Sequence, residues 1–311
     1  MTSHKQITLE STTSAKLAVY KWLCSSKAKA IIHINHGMAE HAARYDRFAN
    51  HLNDCGYHVF AHDHRGHGQT IASDTHQGMF AKVDGWEKII ADVNMVQGHI
   101  KESYPDLPVF LFGHSMGSII GLNYCIRHSD TLAGAALWNS GVDGGPLLHI
   151  LGFLLGIERM LKGSDVTSDL ANAVTFKTWN KKFAPNRTEF DWLSKDETEV
   201  DKYVNDPLCG FPTCNGLWRD LLIGIRAGAS DAELAKIRKS LPMHLLAGGQ
   251  DPCSDNGKAV ERLAARLTQC GIKSVETRIF PENRHEALNE INRDDVMIGF
   301  TDWLDAQIVS G

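Results

Sequence analysis

A serine, a histidine and an aspartate can together cleave an acyl bond if the chain delivers them to one point. The segment Gly113-His114-Ser115-Met116-Gly117 sets a single serine between two glycines. It follows the apolar run 108–112 and precedes the helical pattern 118–127. Strand, sharp turn and helix in that order present a serine hydroxyl at the top of a sheet, and the flanking positions must then be small. A glycine-rich turn with an inert serine is the plainer reading. The strand before it and the helix after it argue for Ser115 as a nucleophile.

A serine hydroxyl is weakly nucleophilic at neutral pH and needs a general base. Four histidines follow Ser115: His128, His149, His244 and His285. His128 ends the helix after the turn, His149 lies in a long helical stretch, and His244 starts a strand pattern. His285 sits in the loop 281–287, where it can swing over the strand ends, and is the candidate base. An acid should close a strand before it. Asp251 does so, ending the run 245–250, and its carboxylate would fix the His285 tautomer and stabilise the imidazolium. Asp255 is the nearest rival, and it fits better as the N-cap of a helix beginning there. The oxyanion of the tetrahedral intermediate needs backbone N–H donors. Met116, directly after the serine, is one. Met38, in the loop Asn35-His36-Gly37-Met38-Ala39-Glu40, is the other.

A second cluster competes for attention. His62-Asp63-His64-Arg65-Gly66-His67 resembles a zinc-binding HxHxDH motif, and such clusters do bind zinc. Gly66 stands where that motif wants aspartate, and the segment also reads as a glycine turn leaving a strand. The turn is the favoured reading.

These residues must be positioned by a sheet. Strand patterns occur at 17–23, 30–35, 58–62, 109–113 and 133–138, alternating with helical patterns at 42–54, 86–102 and 118–127. That alternation indicates a mainly parallel sheet with helices on its faces. The apolar runs 31–34 and 109–112 read as central strands buried on both sides. A breaker cluster, Gly141, Gly144, Gly145 and Pro146, then leads out of the sheet. From there to about residue 229 no strand pattern appears. The rhythm resumes with a strand at 243–247, a helix at 255–269, a strand at 274–279 and a helix at 296–309.

Three segments, His36-Gly37-Met38-Ala39-Glu40-His41 with Arg44-Tyr45, Asp63-His64-Arg65-Gly66-His67-Gly68, and the Ser115 pentapeptide, carry a family likeness. The chain resembles the bacterial monoglyceride lipase and lysophospholipase branch of the α/β-hydrolases, the serine aminopeptidase type. The resemblance implies an α/β-hydrolase fold: a mainly parallel, eight-stranded sheet flanked by helices, with a helical cap. Residues 1–141 and 230–311 would form the catalytic domain, and residues 142–229 the cap or lid. It further implies Ser115, Asp251 and His285 as the catalytic triad, Met38 and Met116 as oxyanion donors, and no metal or organic cofactor. The expected activity is hydrolysis of carboxylic esters of monoacyl lipids through an acyl-enzyme. A carboxylesterase of short esters, a peptidase of the same fold and a non-catalytic ligand binder are the alternatives. The cap segments 187–192 and 206–210 depart from the animal members, as does the Met38-Ala39 pair.

Composition narrows the partners. A net charge of −5 lacks the basic face that nucleic-acid binding requires. The first ten residues lack the apolar core and cleavage site of a secretory signal. The seven cysteines form no CxxC pair and fit reduced thiols in a cytoplasmic setting. In the cap, Leu147, Leu148, Ile150, Leu151, Phe153, Leu154, Leu155 and Ile157 are apolar nearly all round. Such a segment packs on the domain beneath, binds an acyl chain, or touches a membrane surface.

Overall fold

The computed structural model of the chain describes residues 4–143 and 146–309, apart from the side chains of residues 146–149 and 309. The chain opens with strands β1 (Lys5–Glu10), β2 (Ala15–Trp22) and β3 (Ala30–Asn35), helix α1 (Asp46–Asp54) and strand β4 (Tyr57–His62). A two-residue strand β5 (Ile71–Ala72), helix α2 (Gly85–Ser103), strand β6 (Val109–His114), helix α3 (Met116–His128) and strand β7 (Gly134–Trp138) follow. Most of these boundaries lie within a few residues of the sequence patterns. The strand β1 carries no such pattern, because only Ile7 and Leu9 on one face are apolar and even these are half-buried.

Among the described residues, the regular elements between β7 and the next strand are helices: α4 (Pro146–Lys162), α5 (Asp169–Asn172), α6 (Thr178–Lys181), α7 (Glu197–Asn205), α8 (Asn215–Gly228) and α9 (Asp231–Leu234). The sheet then resumes with β8 (Met243–Gly248), α10 (Lys258–Gln269), β9 (Val275–Phe280) and α11 (Arg293–Val309). Asp255 does not cap α10. The helix starts at Lys258 after Gly257, while Asp255 sits at φ +54° and turns its carboxylate to Arg262.

The strands line up in the order β1-β2-β4-β3-β6-β7-β8-β9, with β5 paired to β2. Only the pairings of β2 with β1, β4 and β5 are antiparallel. Every residue of β3 and β6 is buried, as befits central strands covered on both faces. The chain runs from β3 to β4 on one side and reaches β6 on the other. This reversal opens a crevice beyond the strand C-termini, where ligands bind in sheets of this kind. The register pairs Asn35 with Gly113, so the loop after β3 and the turn after β6 emerge side by side.

One face of the sheet is covered by α1 and α11, through Phe48, Phe112, Trp138 and Phe300. The other face is covered by α2 and α3, and α8 joins the same apolar cluster through Leu217, Trp218, Leu221 and Leu222. At that seam the Asp220 carboxylate of α8 faces the backbone N–H of Trp86 in the first turn of α2. Burial, reinforced by Asp84, raises its pKa to about 7, although Trp86 and Arg159 pull the other way. A carboxyl group with a raised folded-state pKa favours the protonated folded form. Its stabilising contribution is whole below the unfolded value and is lost as the pH rises through about 7. Asp220→Asn keeps the acceptor and removes the titration. Thermal melts should therefore show the variant above wild type at about pH 8, with the gap closing towards about pH 4; a pH-independent gap would contradict this.

Candidate active site

Ser115 lies between β6 and α3 at φ 54° and ψ −119°, a backbone region that residues with a Cβ rarely occupy. Its N–H donates to the Trp138 carbonyl at 2.9 Å, and its carbonyl accepts the N–H of Ser118 at 3.0 Å. Glycine on both sides is a steric requirement. A Cβ on Gly113 would lie 2.3 Å from the Gly117 carbonyl oxygen, and one on Gly117 only 2.1 Å from that of Asn35. The serine is half-buried and opens onto a cavity of about 600 Å³.

His285, in the loop after β9, lines the same cavity. Its Nδ1 donates to Asp251 Oδ1 at 3.0 Å. Asp251 is fully buried beyond β8, where Oδ1 also accepts the Cys253 N–H at 2.9 Å. Oδ2 accepts from Ser254 Oγ at 2.8 Å and from Asn139 Nδ2 at 3.3 Å. Burial would raise the Asp251 pKa, but His285, Ser254 and Asn139 together hold it below the ordinary carboxylate value. With Nδ1 committed to Asp251, Nε2 is the ring nitrogen left to serve the hydroxyl. No hydrogen bond joins Ser115 Oγ to His285 Nε2 among the described residues, and such contacts commonly tighten only around substrate.

Met38 also lines the cavity, and Met116 is the first residue of α3. A helix leaves the N–H groups of its first turn without intrahelical acceptors, so the Met116 N–H can serve an oxyanion. The five residues read from the sequence thus come to one end of the sheet, from the ends of β3, β6, β8 and β9.

The structure adds residues that sequence reasoning assigned no role. Arg44 bridges two buried carboxylates, Glu40 of the loop after β3 and Glu286 beside His285. The Glu286 contact is bidentate, with both bonds at 2.8 Å. Glu40 Oε1 accepts the Gly37 N–H at 2.5 Å and the Tyr45 hydroxyl at 2.9 Å. Burial alone would raise the Glu40 pKa, yet Arg44 and His114 drive it well below the usual range. His114 in turn donates through Nε2 to the His285 carbonyl at 3.2 Å. Burial opposes its charging, but Glu40 and Glu286 raise its pKa. From the helical insertion, the Trp192 ring packs on His285 with centroids 4.7 Å apart. The His114 and Glu286 positions adjoin Ser115 and His285 in sequence, and that adjacency was the one available signal.

The histidine-rich turn is built for structure. The Asp63 oxygens accept the Ala42 and Gln69 N–H groups at 2.8 and 2.7 Å, and the Tyr20 hydroxyl at 2.9 Å. Arg65 is buried against Asp74 and Asp92, both at 3.0 Å. The side chains of His62, His64 and His67 do not converge as a metal-binding group among the described residues.

A parallel sheet with a nucleophile elbow at its centre, and an acid and a histidine beyond later strands, defines an α/β-hydrolase. Within that class, the chain belongs to the family "Serine aminopeptidase, S33", which matches residues 26–292. The monoglyceride lipase of Mus musculus is 30% identical over 281 residues, covering 87% of this chain and 84% of that protein. Among solved structures, a highly thermostable carboxyl esterase from Bacillus coagulans in complex with glycerol is 27% identical. It has a TM-score of 0.89 and covers 99% of this chain and 100% of that one. A soluble variant of monoglyceride lipase from Saccharomyces cerevisiae, in complex with a substrate analog, shares the fold. It has a TM-score of 0.77 at 18% identity, over 99% of this chain and 96% of that one.

Removing Arg44 would leave two buried carboxylates facing each other. Arg44→Met should cost about 3–5 kcal/mol in urea unfolding, and adding Glu286→Gln should recover part of that loss. Equal stability of wild type and Arg44→Met would show that the bridge contributes nothing.

Proposed function

We propose that this chain hydrolyses carboxylic esters of monoacyl lipids, of the monoacylglycerol or lysophospholipid kind, through an acyl-enzyme. The observation that carries the reading is the cavity of about 600 Å³ that reaches Ser115 and His285. Its apolar walls are Met38 from the catalytic domain with Phe176, Phe190, Trp192, Leu193 and Phe211 from the insertion. An apolar pocket ending at a few convergent polar groups suits one acyl chain with its ester at the serine. The likeness to monoglyceride lipases supports the same reading. In this reading residues 142–229 are the cap, and residues 1–141 and 230–311 are the catalytic domain.

Ser115 Oγ attacks the ester carbon while His285 Nε2 takes its proton, and Asp251 stabilises the resulting imidazolium. The oxyanion sits on the Met38 and Met116 N–H groups. His285 then gives the proton to the departing alcohol. Water, deprotonated by the same imidazole, attacks the acyl-serine and releases the fatty acid. A carboxylesterase of shorter esters is the second reading, favoured by the likeness to the Bacillus coagulans carboxyl esterase.

A peripheral membrane contact through α4 belongs to the same reading. Leu155 is buried, but Ile150, Phe153, Leu154, Ile157, Met160 and Leu161 are exposed. Leu147 and Leu148 lie outside the described side chains. The exposed residues recur at helical spacing and form an apolar face that a lipid surface can accept. No helix among the described residues is long and apolar enough to cross a membrane. All seven cysteines are unpaired, which supports a cytoplasmic setting.

Turnover of monoacylglycerol, lysophosphatidylcholine and simple esters of graded length should fall by about 10⁶-fold in Ser115→Ala. Wild type should favour the monoacyl lipids. Residual activity near wild type in the alanine variant would end the serine mechanism, and preference for the shortest esters would select the second reading. Wild type should also co-sediment with phospholipid vesicles, and Phe153→Glu with Met160→Glu should not; equal binding would dismiss the α4 contact.

A further inference from the structure

We infer that His41, Asp206 and Cys209 form a binding site for a zinc ion that fastens the insertion to the loop carrying Met38. His41 lies three residues beyond Met38. Asp206 and Cys209 occupy one tight turn after α7, closed by the Cys209 N–H bonding to the Asp206 carbonyl at 3.0 Å. One ligating atom from each of the three lies within 4.8 Å of the other two. His41 Nε2 is already 2.9 Å from Asp206 Oδ2.

A tetrahedral zinc ion takes nitrogen and oxygen at about 2.0–2.2 Å and thiolate at about 2.3 Å, so its ligand atoms stand roughly 3.3–3.8 Å apart. The cluster reaches that geometry if His41 and Asp206 part by a few tenths of an ångström and Cys209 Sγ moves in by at most about an ångström. Thiolate, imidazole and one carboxylate form a donor set that suits zinc better than magnesium or calcium, which prefer oxygen. His41 and Cys209 are buried, whereas the Asp206 side chain is 30% exposed. Solvent can therefore supply the fourth ligand. Burial opposes a charged Cys209 thiolate, so the thiol proton leaves only as the metal binds, and of the charged groups around it Arg44 is outnumbered by Glu40, Asp206 and Glu286. On binding, zinc replaces the thiol proton, which passes to solvent, and nothing is oxidised or reduced.

The backbone shows why this position would matter. The Ala39 carbonyl accepts the Gly210 N–H and the Tyr203 hydroxyl, both at 2.9 Å. The turn at 206–210 is therefore already seated on the loop after β3, and a metal there would brace the seam without entering the reaction. The site is independent of the hydrolytic reading.

Cobalt(II), used in place of zinc on the full chain under a thiol-free reductant, reports the ligands directly. Wild type should bind one cobalt with a thiolate-to-cobalt charge-transfer band in the near ultraviolet, and zinc should displace it. Cys209→Ser should lose the band, and Asp206→Asn should weaken cobalt binding at least about tenfold. Zinc should raise the melting temperature of wild type and leave that of Cys209→Ser unchanged. A missing band in wild type overturns the site. So does a band that survives undiminished in Cys209→Ser, or unweakened binding in Asp206→Asn should the serine variant not fold.

Discussion

The backbone of Ser115 is the constraint around which this molecule is arranged. A residue with a side chain held at φ 54° and ψ −119° carries strain on the order of 1–3 kcal/mol and persists only where its surroundings over-determine it. Here the surroundings include β3 and β6, two adjacent strands buried at every residue. The close approach of Gly117 to the Asn35 carbonyl brings the start of α3 against the end of β3. That contact places the turn at Ser115 beside the loop that carries Met38, as the proposed oxyanion site requires. The strain at Ser115 and the nearness of the two loops are consequences of the same packing.

The placing of His285 depends on contacts far from the Ser115 turn. The loop bearing His285 is held from one side by Arg44 through Glu286, and from the other by the insertion. The Glu286 N–H donates to the Leu193 carbonyl at 2.7 Å, and Arg284 stacks over Phe183 at 4.1 Å. Arg284 also donates to the Ser194 carbonyl at 3.1 Å. The helical segment between β7 and β8 therefore does more than line the cavity, since it holds the loop that carries His285. Buried charges are costly unless fully paired, and the cluster of Glu40, Arg44, Glu286 and His114 satisfies that condition through mutual contacts.

How far the sequence could be read follows from the range of the interactions involved. The elbow was legible because its strand, turn and helix are contiguous. The central strands were legible because a short, continuous apolar run such as 31–34 suits a strand covered on both faces. The β1 strand was not, since an exposed edge needs no apolar pattern. Asp255 looked like a helix cap because caps are recognised by residue type, yet three successive left-handed residues, Asp255, Asn256 and Gly257, delay the helix. The Arg44–Glu286 bridge spans 242 positions and leaves no periodic trace. For α4, composition declared an apolar helix but not which face meets the domain. Leu155 faces inward, in the apolar cluster that α8 joins, and Phe153 faces outward.

The triad and the cavity select at different levels. In the proposed mechanism Ser115, His285 and Asp251 would act on an ester carbonyl whatever is attached to it, so they would set the reaction and leave the substrate open. Selection falls to the apolar walls that Phe176, Phe190 and Phe211 contribute. Each methylene they bury is worth about 0.8 kcal/mol, and such a wall favours longer chains without a strong means of refusing shorter ones. A graded preference is then the expected behaviour, rising with acyl length until the walls end. On this argument the monoacyl-lipid and short-ester readings are two ends of one scale. What separates them is how deep the apolar part of the cavity runs from Ser115.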